Sequence, residues 1–516
     1  MPSALTAMVD SELLWTRGWG NNNNTFATLN LQFMRAITTF RMLMCCAALL
    51  MLSNACSRNP LYNNDSGARL KFSTDTLLFD TVFTTVGSAT RVLKVYNPTS
   101  GTLLLSEIRL AGGNASAFRL NIDGLKAPVA TRVEIEPGDS LYVFAAVTVQ
   151  PNNVNSPLVV ADSILFTLNG QRQQVNLVAW GQDAHYIRGT SRLGSLRYKI
   201  VAGANVDTSW TAEKPIVVYG YAVVDSAGTL RIPAGARVHF FRNSGLWVYR
   251  GGRLLVEGTQ AQPVTFQGTR LEADYRDLAG QWDRIWINEG AASRINWAII
   301  RNAFIGIQAE TLIGRYEPDD TFLEIYNTKI LNMSGAGILA RLFTIKAVNN
   351  LIANCGGYCA ALTLGGAYEF RQCTFANFWT YPIRKTPAVL LNNYNNAGSY
   401  PLSQADFYNC LVVGSNEEEL LLDPAPNSAA FSYAFKNCHL RVKSDFTLTS
   451  AFTSCAKNTL LNDKDFFTDP ENWKYSLKDN SPAIGFGDAT HILPAFTSDL
   501  EGTPWKTPPS AGCFEK

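Results

Sequence analysis

Between residues 70 and 180 the chain alternates apolar and polar residues in short runs. Arg91-Val92-Leu93-Lys94-Val95-Tyr96, Phe118-Arg119-Leu120 and Val175-Asn176-Leu177-Val178-Ala179 all keep a two-residue period. Turn signals separate the runs: Asn97-Pro98-Thr99-Ser100-Gly101, Ala111-Gly112-Gly113-Asn114 and Pro137-Gly138-Asp139. A two-residue period sends successive side chains to opposite faces of a strand. About seven such runs at regular spacing predict a β-sandwich over residues 69–182.

The second half carries a different signal, a repeat. Six windows align, starting at Ile295, Ile325, Ala347, Phe370, Phe407 and Phe435. Each opens on an apolar residue and has another five positions later: Ile300, Ile330, Ile352, Phe375, Val412 and Leu440. Five have an amide two positions after the start (Asn327, Asn349, Gln372, Asn409, Asn437), and the starts are 30, 22, 23, 37 and 28 residues apart. The windows are short and alternate, so they are not the 10–15-residue helices of an α-solenoid. A coil of about 22 residues, lengthened in places by a loop, predicts one turn of a parallel β-helix stacked at about 4.8 Å. The apolar positions then line the interior, and the amide position sits at a bend where it bonds to its copies above and below. Cys373, Cys410 and Cys438 share one register and are expected to stack inward as a thiol ladder; the alternative is a disulfide or a metal on neighbouring rungs.

The N-terminus reads as an address. Arg35 and Arg41 precede an eleven-residue apolar stretch, Met42 to Leu52, which is followed by Ser53-Asn54-Ala55-Cys56. The stretch is too short to span a bilayer, which takes about 20 residues, but it fits a signal peptide over 34–55. The ending resembles the lipobox of bacterial lipoproteins, with Asn54 where a small residue is usual. That resemblance implies acylation of Cys56 and a membrane as partner through that anchor. It places the protein in the cell envelope as an outer-membrane lipoprotein, with the periplasmic or surface face undecided. Residues 1–33 precede the signal, and translation is expected to start at Met34. Residues 56–68 are expected to be a flexible tether and 183–214 a connector, with the β-helix and its closing segment over 215–516.

Composition narrows the function classes. The chain of 516 residues carries 44 basic and 42 acidic side chains, a net charge of +2, so no strong field favours nucleic acid. Of the ten cysteines, two lie in the expected signal and one would carry lipid. Seven remain, an odd number that excludes complete pairing within one chain. Cys355-Gly-Gly-Tyr-Cys359 does not have the two-residue spacer of a redox or zinc pair.

Two family resemblances sharpen the fold class, which is all-β. Asn97-Pro98-Thr99-Ser100 with Ile135-Glu136-Pro137-Gly138-Asp139-Ser140 resembles immunoglobulin-like domains of the abnormal-spindle/hydin type, which implies a spacer or protein-binding module. Gly228 to Phe240, Gly252 to Thr259, Gly280 to Ile287 and the ending Ala511-Gly512-Cys513-Phe514-Glu515 resemble right-handed parallel β-helix proteins of the pectin-lyase-like superfamily. Members of that superfamily include lyases, hydrolases, epimerases and non-enzymatic adhesins, so the resemblance fixes no activity.

The motifs of the catalytic members, Gly-His-Gly and Arg-Ile-Lys, do not occur in the sequence. His439 is expected to face outward as surface decoration, and Glu417-Glu418-Glu419 to be a solvated loop. Asp319 and Asp320 lie in an insertion between coils, where paired carboxylates suit acid–base work or a hard cation. Arg384 is a further candidate catalytic group. The excursion 378–405 offers Trp379, Tyr381, Arg384, Lys385 and Tyr394 as a carbohydrate-binding cluster of aromatic faces beside cations. The leading expectation is a binding protein for polysaccharide or an envelope protein, without catalysis, metal or cofactor. The alternative is a polysaccharide lyase or glycoside hydrolase with its site on the lateral face, and Ca²⁺ enters only if the chain is a lyase.

Overall fold

The computed structural model describes residues 61–126, 129–150, 158–312, 322–381, 383–426, 430–458 and 463–516. The signal peptide, Cys56, Asp319 and Asp320 lie outside the described residues.

The alternating runs of the first unit form two five-stranded sheets that enclose one core of Leu, Val, Ile and Phe side chains. Strand Thr76–Phe83 runs parallel to Gln171–Gln182, and the other pairings in the two sheets are antiparallel. The two motifs flagged in the sequence meet here. Asn97 is buried, its side-chain amide donates to Gly101 O at 2.8 Å and Ile135 O at 2.9 Å, and its own carbonyl accepts from Gly138 N at 3.1 Å. One asparagine thus satisfies several carbonyls of two turns that would otherwise be buried unpaired.

Residues 61–68, expected to run free, are held against this unit. Asn63 N donates to Thr102 O at 2.9 Å, the Tyr62 hydroxyl donates to Glu134 at 2.6 Å, and the Asn169 amide donates to Asn63 O and Asp65 O. A polar, turn-rich composition suits a tether, but the same Asn and Asp side chains also bond neighbouring backbone and fix the segment. These contacts lie beside the start of strand Gln171–Gln182, while its far end bonds the chain at Thr84, which faces the second unit. Twelve residues at about 3.3 Å each put the two ends about 35–40 Å apart.

In the second unit the strands wind into a parallel coil with two long walls. The described residues include an 11-stranded and an 18-stranded sheet, called here the short and long sheets. The register is the one the repeat predicts: Ile295, Ile325, Ala347, Phe370, Phe407 and Phe435 are successive lateral partners. The rings of Phe370 and Phe407 stack at 5.0 Å, and those of Phe407 and Phe435 at 4.5 Å. A further coil continues the column at Phe452, 5.2 Å from Phe435. The sequence alignment missed that coil because Ser454 replaces the amide and Lys457 the second apolar residue.

The amide position proves to be a left-handed corner. Asn327, Asn349, Gln372, Asn409 and Asn437 have φ between 46° and 59°, a region in which Asn is enriched because its short polar side chain bonds locally. Asn349 donates to Asn327 at 2.8 Å as expected of a ladder, but the Asn409 amide reaches Asp488 O at 2.9 Å instead. Cys373, Cys410 and Cys438 are all fully buried in one register, as the ladder reading required.

The segment expected as a connector is itself wound onto the coil. Strand His185–Arg188 pairs with Ile216–Tyr219 in the short sheet, and Leu196–Ala202 and Asp207–Ser209 pair with Tyr221–Val224 and Thr229–Pro233 in the long one. Its exposed, polar sequence hides this role because a terminal coil is packed on one side only.

The two sheets differ on the outside. Tyr186, Val217 and His239 form one outer column of the short sheet. The sandwich covers it: the Tyr186 hydroxyl bonds Thr84 O, the rings of His239 and Phe83 lie 4.7 Å apart, and Val217 between them is fully buried. Arg91 bridges Asp80 of the sandwich to Asp274 of the coil, and Glu272 accepts from Ala89 N at 3.1 Å. Further along, Phe466, Phe467, Tyr475, Leu477, Leu500 and Phe514 of the closing segment cover Leu351, Ala353, Ala376, Leu411 and Val413. His439 does face outward from the coil, but it is buried under this segment against Phe466 and Phe486 rather than decorating the surface.

Candidate functional site

The candidate residues of the excursion 378–405 have different surroundings. Arg384 is fully buried and makes a two-point ion pair with Glu419 at 2.8 and 2.5 Å; its guanidinium also donates to Asn377 O at 2.9 Å and to Thr386 O. Glu419, expected in a solvated loop, is the buried partner of that pair and also accepts from Asn416 N at 2.8 Å. Burial pushes its carboxyl up, while the Arg384 pair opposes that shift. A buried Arg can reach no substrate, so Arg384 pins the excursion to the coil; an uncompensated buried charge would be costly, which is why the two are paired. Lys385 and Tyr381 are exposed, and Trp379 is half-buried beside Gly356. Tyr394 lies elsewhere, on the long sheet's side, where its hydroxyl donates to Asp423 at 3.1 Å and the Asn392 amide donates to the same carboxylate at 2.9 Å.

The outer face of the long sheet is where side chains converge. One column runs through Ile200, Val223, Trp247, Trp286, Gln308, Leu339, Ala361, Leu390 and Leu421. Eight steps of about 4.8 Å make it about 38 Å long. The rings of Trp247 and Trp286 stack at 4.9 Å, and both side chains are half-buried. Beside it runs a polar column, Asn288, Glu310, Arg341 and Thr363, with Asn392 and Asp423 further along. Trp286 Nε1 donates to Glu310 at 2.7 Å and Arg341 pairs with the same carboxylate at 3.3 Å.

At the first coils this face opens into a cleft of about 760 Å³ over the bend between the sheets. Arg188, Arg197, Arg242, Tyr219, Tyr221 and Asp283 line it. Gly220 forms its floor with φ +84°, and a Cβ there would stand 2.5 Å from Arg197 O, so only glycine lets the coils approach this closely. The Arg188 guanidinium lies 5.4 and 5.7 Å from the rings of Tyr186 and Tyr219, a cation–π arrangement that holds it in place.

The charge balance in the cleft is one-sided. Three arginines face one carboxylate, Asp283, and that group already accepts from the Tyr221 hydroxyl and pairs with Arg284 at 2.8 Å. Burial and the Asp283 bond push the Tyr221 hydroxyl well up, so it stays protonated. Arg197 also stands directly opposite Arg192 in an antiparallel pair, an arrangement of like charges that is destabilising by itself. Arginine forks match carboxylate and sulfate oxygens two at a time, and tyrosine rings offer apolar area with a hydrogen-bonding rim. Among the described residues no group of three or more His, Cys, Asp or Glu side chains is placed to hold a metal ion.

Sequence reasoning missed this cleft. Its residues come from four separate coils, as isolated arginines, tyrosines and one aspartate at strand ends or in the turns between strands. The nearest signal was Tyr219-Gly220-Tyr221, a glycine between two aromatics at a corner.

No family model and no curated protein matches the chain. Among solved structures it is similar to the VesB protease of Vibrio cholerae, at 13% identity over 22% of this chain and 31% of that one, with a TM-score of 0.16. A family 123 glycoside hydrolase from Clostridium perfringens matches at 8% identity over 23% and 30% of the two chains, with a TM-score of 0.16. The chain thus spans under a third of either protein. The catalytic domain of Agl-KA aligns over 78% of this chain and all of that one at 9% identity, with a TM-score of 0.14. Scores this low carry no argument about activity.

Proposed function

We propose that this is a lipid-anchored cell-envelope protein that holds a polysaccharide on the outer face of the long sheet, with acidic sugars engaged in the arginine–tyrosine cleft. The observation that carries the reading is a cationic cleft at the bend of the first coils, beside the end of the long sheet's outer column, with Arg188 at its edge also bonded to Thr85 of the sandwich. The sandwich, read as an immunoglobulin-like domain, separates the anchor from the binding face. Its tether contacts and its contacts with the coil lie at opposite ends of one strand. The resemblance to the pectin-lyase-like superfamily agrees with a lateral binding face. Titration calorimetry against neutral and acidic polysaccharides tests the reading. Acidic chains are expected to bind, with affinity falling as salt rises; absence of binding to any glycan would overturn it.

A second reading is a lyase or hydrolase at the same place, favoured by the Tyr221–Asp283 pair at the cleft. Release of unsaturated or reducing sugar, lost in Tyr221→Phe, would establish it.

A further inference from the structure

The thiol column does not stop where the sequence alignment placed its end. Phe435 pairs with Phe452 and His439 with Ala456, so Cys455 is the register partner of Cys438 and the fourth member of the column after Cys373 and Cys410. The first three are fully buried, whereas Cys455 is half-buried at the open end of the coil. Its thiol points back along the column and donates to Phe435 O at 3.3 Å, the carbonyl of the preceding coil.

We infer that Cys438 and Cys455 are a disulfide-forming pair, a site at which an external disulfide oxidant staples the last coil onto the one before it. Lateral neighbours in a sheet stand about 4.8 Å apart at Cα, inside the window of about 4.4–6.8 Å that a disulfide accepts. The Cβ atoms must close to about 3.8 Å, so one coil has to tilt by about 1 Å. Only the last coil is free to do so. Its strands Phe452–Thr453 and Ala456–Lys457 have two residues each, and no described strand pairs with their far edge. Cys373 and Cys410 sit between neighbours on both sides, beside four-residue strands Thr374–Asn377 and Leu411–Gly414.

The chemistry balances with a disulfide of the form RSSR as oxidant. The deprotonated Cys455 sulfur attacks one oxidant sulfur and expels the first RS⁻, giving a mixed disulfide. The Cys438 thiolate then attacks the Cys455 sulfur, forms the internal S–S bond and expels the second RS⁻. The two cysteines lose two electrons and two protons, and RSSR becomes two RSH. The hydrogen bond to Cys438 and burial both push the Cys455 thiol up. The reaction is therefore slow at neutral pH and speeds up as pH rises, because the thiolate is the nucleophile.

The test treats the detergent-solubilised full-length protein with oxidised glutathione, blocks free thiols, and digests it without reductant for mass spectrometry. The expected product is a peptide pair joining Cys438 to Cys455, formed faster at pH 9 than at pH 7 and absent in Cys455→Ser. A glutathione adduct on Cys455 with no internal link, a first link at Cys373–Cys410 or Cys410–Cys438, or no reaction at all would each overturn the inference. Should Cys455→Ser fail to fold, the link map of the unaltered chain decides alone. Cys410→Ser is expected to leave the Cys438–Cys455 link in place.

Discussion

The short and long sheets belong to the same coil and share one interior, yet their outer faces have opposite fates. The short sheet shows Val217, Leu351, Leu411 and Val413 outward, and each is buried by the sandwich or the closing segment. The long sheet shows Ile200, Trp247, Trp286 and Leu339 outward, and these keep part of their surface in water. In both cases the outward residues are apolar. What separates the packed face from the open one is therefore what lies over it. On the open face the apolar residues are also flanked by charged ones, Arg341 and Glu310 among them, whereas the covered face is sealed by asparagine bonds such as Asn409 to Asp488.

This contrast can be broken most sharply from inside. Phe407→Ala removes the middle of the ring column and should cost about 3–5 kcal/mol, seen as a lower denaturation midpoint in urea. Both faces would lose their support together. Arg384→Ala leaves Glu419 buried without its partner and should cost a similar amount, about 3–5 kcal/mol. A loss of glycan binding larger than the loss of folded protein would instead return Arg384 to the site.

The covered face should respond to pH. Burial holds His239 down at about 4, against about 6.5 in the unfolded chain. Between those values the unfolded state binds a proton that the folded state does not. Stability from this residue therefore falls as pH drops below about 6.5, by up to about 1.4 kcal/mol per pH unit, and levels off near pH 4. The difference in denaturation free energy between the parent and His239→Gln, followed from pH 7 to pH 4, should show that slope. A flat difference would mean that the sandwich does not seal this part of the coil.

The open face should respond least in stability and most in binding. Arg197→Ala and Arg242→Ala are exposed substitutions expected to change stability by no more than about 0.5 kcal/mol. Both should weaken affinity for an acidic polysaccharide and flatten its salt dependence. If they instead stabilise the protein and leave glycan affinity intact, the cluster is only a crowded surface.

The coil was readable in the sequence because stacking repeats one environment. Phe370, Phe407 and Phe435 occupy equivalent positions, so selection for an interior ring recurs at matching places in the windows. The corner amides were also readable, though their left-handed backbone was not, since a ladder of amides and a row of αL corners ask for the same residue. The terminal coils were harder. Residues 185–209 and 452–457 pack on one side only, so their interior positions are fewer and their polar residues more. The excursion misled for another reason. Arg384 and Glu419 are 35 residues apart, and nothing local distinguishes a charge that will be buried with a partner from one that stays in water.

The sequence by itself determined the two β architectures, their order and the interior of the coil, because period and repeat are local properties that fix which way each side chain points. Tertiary structure alone decided which outer face is closed, whether a given charge is buried or solvated, and where the arginines of separate coils meet. Those outcomes depend on segments distant in the chain arriving at the same place, and no spacing along a strand encodes that arrival.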